Sequence, residues 1–506
     1  MSMTNDTLDA VKAAQLAPDD LIKSFTQPAS ATTGLQAYNL EGPSKKLFPV
    51  LTPLRNLLPR VTGGFAIQAN WKAVTDINVG NVRAGVGEGL RGGIITHAQS
   101  EYLAAFRGFG LENNVTFEAG YAAKNYEDVK ALAVTSLLQA TMIQEERLIL
   151  GGNTSLALGT TPTPSTATST TGGTIAAATY NVVCVALTLQ AYLDMVGPNN
   201  GGIGVTFNNA TALVPGLITR TNAGGGTSAF GGGNAQQSAA ASQVTTGATS
   251  TISATVAAVN GAVGYAWFVG TAGNERLQAV TNINSVNLTT LNTTTSQLLS
   301  AIPGGAADRS TSTLDFDGLL TQAFKSGSNA TIITQATGTA GTGTGLTADT
   351  AGGIVEFEQM FASLYNKYRI SPTRIYVSTQ ELINIVKKVI QGSGAPLLQL
   401  ISKIEDVTSI TAGSRIGSYL NKVTGDVVPV IVHPNMPAGT VFFLTEQLPY
   451  PLADTPQLVR MLMRQDYYQL EWPLVTRRYD YGVYADGVLQ HYAPFSMGII
   501  TNIGNA

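Results

Sequence analysis

Between residues 151 and 307 the chain carries only four charged side chains, Asp194, Arg220, Glu275 and Arg276, although its 506 residues hold 29 Lys+Arg and 32 Asp+Glu in all. Charge density elsewhere is ordinary, so this stretch reads as an insertion with a composition of its own. Within it, 153–174 is a Thr/Pro/Ser/Gly linker and 224–233 a glycine tract. NVVCVALTL (181–189), TISATVAAV (251–259), GYAWFVG (264–270), ERLQAVT and NSVNLTTL read as short strands with turn signals between them. That spacing predicts a β-sandwich, with Trp267 as its core anchor between Tyr265 and Val269. Joined through the Thr/Pro run after Asn153 and the chain near Pro303, Gly304 and Gly305, the module is expected to meet the rest of the molecule only at those two ends.

The flanking sequence is different in kind. The strongest helix signal runs from Tyr126 to Leu150, with Asn125 as cap, Asp128 at the third helical position and Gly151-Gly152 as the stop. Val129, Leu132, Ala133 and Ile143 share one face, and Leu138, Met142 and Ile149 another. A helix apolar on two faces is packed on two sides, a spine and not a surface element. Before it, 1–62 reads as an arm. Leu8, Val11 and Lys12 suggest a short helix, and Pro18, Pro28, Pro43, Pro49, Pro53 and Pro59 then forbid long helices and central strands. Residues 63–122 read as a long excursion: FAIQANWKAV as the outgoing strand, a glycine-rich tip from Gly80 to Gly93, and VTFEAGYAA (115–123) as the return. Later, 354–368 is an amphipathic helix, and Ser378 with Glu381 forms a capping box for the next. VVPVIV (427–432) and TVFFLTE (440–446) are strands. Helices and strands without a regular βαβ repeat give the class α+β.

Composition and motifs exclude more than they assign. Net charge is −3, against a general nucleic-acid binder. A single cysteine, Cys184, excludes a disulfide framework and a thiolate zinc cluster, and its apolar strand makes it a core residue. His97, His433 and His491 form no metal-binding spacing, and His433 before Pro434 reads as a hydrogen-bonded structural histidine. Gly87, Gly89 and Gly92 match G-x-G-x-x-G but lack the buried strand and opening helix of a dinucleotide site, so they read as a loop. No nucleophile elbow or P-loop is present. Glu145 and Glu146, near a helix end beside Arg147, read as solvated acids or as intersubunit ion pairs. Neither a catalytic nor a cofactor nor a metal site is assigned. The start, MSMTNDTLDAVKAAQ, lacks the pattern of a signal peptide, and no apolar run reaches the length of a membrane span, so a chain folded in a cytoplasm is expected.

The run LAAFRGFGLENNVTFEAGYAAKNYEDVKALAVTSLLQATMIQEERLILGGNTS resembles the hairpin return and spine helix of the major capsid proteins of tailed double-stranded DNA bacteriophages. LYNKYRISPTRIYVSTQELINIVKKVI and PVIVHPNMPAGTVFFLTEQLPYP resemble the start and end of the axial domain of that family. The likeness spans roughly 40–155 and 350–503. GAVGYAWFVGTAGNERLQAVTNINSVNLTTL resembles an immunoglobulin-like or fibronectin-like module, which many family members lack. The resemblance implies an N-terminal arm (1–62), an extended hairpin loop (63–122), a peripheral domain (123–152 and 451–506), an inserted immunoglobulin-like β-sandwich (153–307) and an axial domain (308–450). It implies a structural protein, not an enzyme, that self-assembles as hexamers and pentamers into an icosahedral shell in a bacterial cytoplasm. Packaged double-stranded DNA would lie on the inner face without sequence-specific contacts. Portal, scaffold or decoration proteins are further candidate partners, and no membrane is involved. The alternative is an encapsulin-like compartment with the same fold. Candidate intersubunit contacts are Leu54, Leu57, Trp71, Arg83, Glu88 and Arg91; Lys72 lies in the hairpin, and no crosslinking role is carried over to it.

Overall fold

The computed structural model describes residues 9, 44, 45, 47–77, 80, 82–124, 126–196, 213–392, 416–450 and 455–505. The expected helix around Leu8, Val11 and Lys12, the prolines Pro18, Pro28 and Pro43, and the capping residue Asn125 lie outside them. The described N-terminal part holds α1 (Pro53–Leu57), β1 (Arg60–Thr62), β2 (Gln68–Asp76), β3 (Ala98–Ala105), β4 (Arg107–Thr116), α2 (Phe117–Ala122) and α3 (Val129–Gly151). β2 and β3 form the hairpin, pairing Trp71 with Tyr102 and Lys72 with Glu101. The return strand is therefore 98–105 and not 115–123. Residues 117–122 are a helix, because the Thr116 hydroxyl accepts from Ala119 N at 3.2 Å and caps the turn.

α3 is the spine, 23 residues or about 35 Å long. Asp128 is its N-cap, accepting from Lys130 N and Ala131 N at 3.1 Å each. Its deeply buried positions are Ala133, Leu137, Thr141, Glu145, Glu146, Ile149 and Leu150, with Leu138 only half-buried. Ala133 and Leu137 pack on Val115 of β4 and on Tyr481 and Val483 of β20 (Arg478–His491). That sheet has the order β1-β19-β20-β4, where β19 is Val459–Glu471. β1 joins it in parallel, with Arg60 opposite Met461. The end of the arm is thus built into the chain's own sheet.

The low-charge region folds as two sheets around one core. β13 (Ser285–Leu288), β10 (Thr251–Thr255) and β5 (Ser165–Ser169) form one. β12 (Arg276–Thr281), β11 (Gly264–Gly270), β6 (Thr179–Leu187) and β9 (Ala241–Val244) form the other, and β7 (Leu217–Thr221) pairs with β8 (Thr227–Gly231) in a separate hairpin. Trp267 is fully buried between them with Cys184, Ile252 and Val286, and its Nε1 donates to Thr281 Oγ1 at 2.9 Å. A short helix α4 (Leu189–Val196) follows β6 and lies against α3, where Arg147 pairs with Asp194 at 2.7 Å. Contact with the rest of the chain is not confined to the two ends: Val183, Val185, Phe268 and Val280 belong to the same apolar core as Ile149, Leu150 and Leu489.

The third large sheet has the order β14-β21-β18-β15-β17-β16. Its strands are β14 (Thr331–Thr334), β15 (Arg374–Val377), β16 (Ser418–Leu420), β17 (Val427–Val432), β18 (Val441–Leu444) and β21 (Gly498–Thr501). Helix α6 (Val355–Tyr368), which follows the short α5 (Leu319–Phe324), buries Phe357, Met360, Phe361 and Leu364 against Ile375, Val377, Val441 and Phe443. The last strand, β21, sits in this sheet beside β14 and β18, although its position in the sequence groups it with β19 and β20. On the spine, Leu137→Ala should cost about 2–5 kcal/mol by leaving a cavity against Val483, while the exposed Ser136→Ala should be near neutral. Denaturant melts of the two variants check this; equal midpoints would show that the Leu137 face is not a core face.

Candidate functional site

Two features stand out: thin parts of the chain that leave apolar side chains uncovered, and a buried polar junction that fixes where those parts leave the body. The strap before α1 starts where Ser44 Oγ donates to Glu127 Oε2 at 2.8 Å. It ends where Leu54 N and Arg55 N donate to Glu146 Oε1 and Oε2 at 2.8 and 2.7 Å. Glu127 lies just before the start of α3 and Glu146 close to its end, so a strap held at both runs alongside the spine. Leu47, Phe48 and Leu51 along it are exposed.

The junction is built on Glu145 and Glu146, both fully buried, which corrects the expectation of solvated or intersubunit acids. Thr52 supplies no side-chain cap to α1, and the Glu146 carboxylate takes that role from another helix. Glu146 Oε1 also accepts from His433 Nε2 at 2.6 Å. His433 Nδ1 accepts from Asn435 N at 3.1 Å, which places the ring proton on Nε2. Glu145 accepts from Arg55 Nε at 3.0 Å, from Arg60 Nη1 at 2.5 Å and from the Tyr467 hydroxyl. Arg60 reaches on to Asp466 at 2.6 Å, and its hydrogen bonds hold that carboxyl below its ordinary range. Burial, reinforced by Glu145, pushes the Tyr467 hydroxyl up, so it stays a donor. Both guanidinium groups lie over the Tyr467 ring, at 5.1 and 4.9 Å. Arm, spine, β19 and the end of β17 thus meet at one set of buried charges. The structural reading of His433 holds; the partners of the two glutamates lie 85 residues or more away in sequence, where local spacing gives no signal.

The hairpin stands on few contacts. Trp71 Nε1 donates to His491 O at 3.0 Å, and its ring meets Tyr102 and Tyr492 at 5.9 and 6.4 Å. Trp71, half-buried, is therefore a foot of the hairpin on its own chain, and Leu54 is fully buried in the apolar core. Leu57 is half-buried on the same core. Arg83, Glu88 and Arg91 lie exposed on the loop between β2 and β3, each without an ion pair among the described residues. Gly87, Gly89 and Gly92 sit in that loop and open no helix, which excludes the dinucleotide reading. Lys72 and Glu101 face each other at 3.9 Å on the exposed side.

A cleft of about 440 Å³ at the hairpin base is lined by Trp71, Tyr102, Leu103, Lys325 and His491. His491 is buried and held neutral, its pKa driven down to about 3 by desolvation. Burial likewise raises the Cys184 thiol well above its ordinary value, consistent with an inert core residue. Among the described residues no group of His, Cys, Asp and Glu could hold a metal ion, and no helix is long and apolar enough to cross a membrane. The capping box at Ser378 is half formed: Ser378 Oγ accepts from Glu381 N at 3.1 Å, while Glu381 Oε1 takes Gly439 N at 3.0 Å.

No protein-family model and no curated protein matches the chain. Solved structures are similar at a distance. The capsid of a native GTA particle shares 8% identity over 94% of this chain and 99% of that one, with a TM-score of 0.40. The capsid of cyanophage A-1(L) shares 11% over 94% and 98%, with a TM-score of 0.41. The holo-SrpI encapsulin of Synechococcus elongatus PCC 7942 shares 10% over 100% and 98%, with a TM-score of 0.35. At that distance the likeness carries no functional argument.

Removing the Glu146 carboxylate with Glu146→Ala strands two backbone N–H groups and the His433 donor, which should cost about 3–5 kcal/mol. Limited proteolysis should then cut near 44–58 first; an unchanged cleavage map would show that the junction does not hold the arm. Glu381 supplies a pH test. Burial raises its pKa from 4.5 to about 7. The folded state then holds a proton that the unfolded state releases, so Glu381 lowers stability as pH rises from 4.5 to 7, by roughly 3 kcal/mol. His491 acts in the opposite sense between pH 3 and 6.5. Subtracting the melting profile of Glu381→Gln from that of the native chain isolates the first trend; a flat difference would refute it.

Proposed function

We propose that the chain is the major capsid protein of a tailed double-stranded DNA bacteriophage, a subunit whose copies associate as hexamers and pentamers into an icosahedral shell around the genome. The observation that carries this reading is apolar surface left bare on the thinnest parts of the chain. Leu47 is 89% exposed, Phe48 72%, Phe65 82%, Ile67 80% and Ile94 89%. A strap, a hairpin root and a loop have no second layer with which to cover such residues, so another subunit must. The sequence runs that resemble this family support the same reading. A net charge of −3 suits a wall that encloses DNA without gripping it.

In this reading 1–62 is the arm, 63–122 the hairpin loop, 123–152 with the strands after 451 the peripheral domain, 153–307 the inserted sandwich and 308–450 the axial domain, to which β21 adds a strand. Arg83, Glu88 and Arg91 at the hairpin loop are the polar contacts to a neighbouring subunit. The protein is structural, resides in the virion and assembles in the host bacterial cytoplasm; portal, scaffold or decoration proteins would join it there.

Electron microscopy of the purified particles should show closed shells, and contents that nuclease digests only after the shells are opened would separate a packaged genome from an enclosed protein cargo. Phe65→Asp combined with Ile67→Asp should abolish shells while leaving the melting of the unassembled chain unchanged, because both side chains already face solvent. Shells formed at native yield would sink the proposal. Arg91→Glu should weaken particles more at low than at high ionic strength, since salt screens exposed pairs; identical particle melting at both would reduce the loop to a solvated tip.

A further inference from the structure

We infer that the low-charge sandwich is a brace, locking the end of the spine helix to the six-stranded sheet, and not a module carried passively on two linkers. The inner sheet of the sandwich is buried on both faces. Along β6, Val182, Cys184 and Ala186 point into the sandwich core, and Val183, Val185 and Leu187 point the other way. β11 does the same, with Tyr265, Trp267 and Val269 inward and Ala266 and Phe268 outward. The outward set is continuous with Leu189, Ala191 and Met195 of α4, with Ile149 and Leu150 at the end of α3, and with Leu319 and Leu320 of α5. Approach there is close: a Cβ on Gly151 would lie 2.3 Å from the Leu189 side chain.

The sandwich is held a second time, by hydrogen bonds at one of its turns. The turn between β12 and β13 places Asn284 N on Asn502 Oδ1 at 2.9 Å, while Asn502 Nδ2 donates to Gln335 O at 2.8 Å. Asn502, just after β21, adopts φ +60°, a left-handed conformation in which asparagine is among the few tolerated side chains. Asn284 Nδ2 donates to Thr337 Oγ1 at 2.9 Å, and Gly341 N donates to Ser285 Oγ at 3.1 Å. These amides are buried, so water cannot replace the lost bonds cheaply. A sandwich gripped both by its apolar outer face and by an amide cluster at the β12–β13 turn ties α3 and β21 into one cooperative body. The inference holds for the single chain and does not rest on the shell reading.

Calorimetry and hydrogen exchange on the full chain test it. The native chain should unfold in one transition. Asn502→Gly, which removes the amide but keeps the backbone conformation, should lower exchange protection in 251–288 and in 498–501 together. Phe268→Ala, or the milder Phe268→Leu should Ala not fold, should deprotect 145–151 along with 264–270. Two separate transitions in the native chain, or loss of protection confined to the sandwich in either variant, would overturn the brace. A chain with 156–304 replaced by a Gly/Ser linker that keeps the native melting temperature would do so as well.

Discussion

Two adjacent carboxylates in the interior decide how the rest of this chain is arranged. Glu145 and Glu146 have no exposure to solvent, so every oxygen must be met by a donor from the protein. The donors come from Leu54, Arg55, Arg60, His433 and Tyr467, on three separate stretches of chain. Apolar packing tolerates small slips in register, but a buried charge with fixed partners does not. Once Glu146 caps α1 and Glu145 holds Arg60, the place where the arm leaves the body is set, and β1 enters the sheet beside β19 in one register. The hairpin then starts from a fixed point only a few residues later.

The secondary structure was largely legible in the sequence and the long-range pairing was not. The spine, the helix at 354–368 and the strands at 181–187 and 264–270 show through their apolar spacing. VTFEAG alternates like a strand and so points to the return strand, but β4 ends at Thr116, whose cap, a local competitor, turns the residues after it into a helix. The sequence points to wet glutamates because acids near a helix end are usually solvated, and nothing nearby names Arg55 or Arg60 as partners. A stronger clue was present in the context: in a chain with 12% charge, two acids inside an apolar helix are unusual residues to leave without an assigned partner.

The sandwich offers the same lesson from the apolar side. NVVCVAL and YAWFV are continuous apolar runs, not alternating ones. A strand with one wet face alternates, while a strand covered on both faces does not need to. Read strictly, those runs already exclude a module whose inner sheet faces solvent, and the structure covers that face with α4 and the end of α3. The scarcity of charge between 151 and 307 has the same cause, since a region buried against the body has less solvent surface on which to place charges.

These constraints divide the chain into a stiff part and a thin part, and under the proposed function that division bears on how identical copies would close a shell. Hexamers and pentamers require the same chain to meet its neighbours at different angles, and close-packed interiors have discrete states and do not deform smoothly. A body stiffened by the carboxylate junction at one place and by the sandwich at another keeps its shape across those environments. Adjustment then falls to the strap, the hairpin and its loop, which carry exposed apolar residues and few contacts with the body. The narrow foot of the hairpin around Trp71 and the glycine-bearing loop beyond it, with Gly89 at φ +75°, are where such adjustment costs least. Rigidity in the core and adaptability in the appendages are therefore one design: the more firmly the junction fixes the root of each appendage, the more of the required variation its free end must absorb.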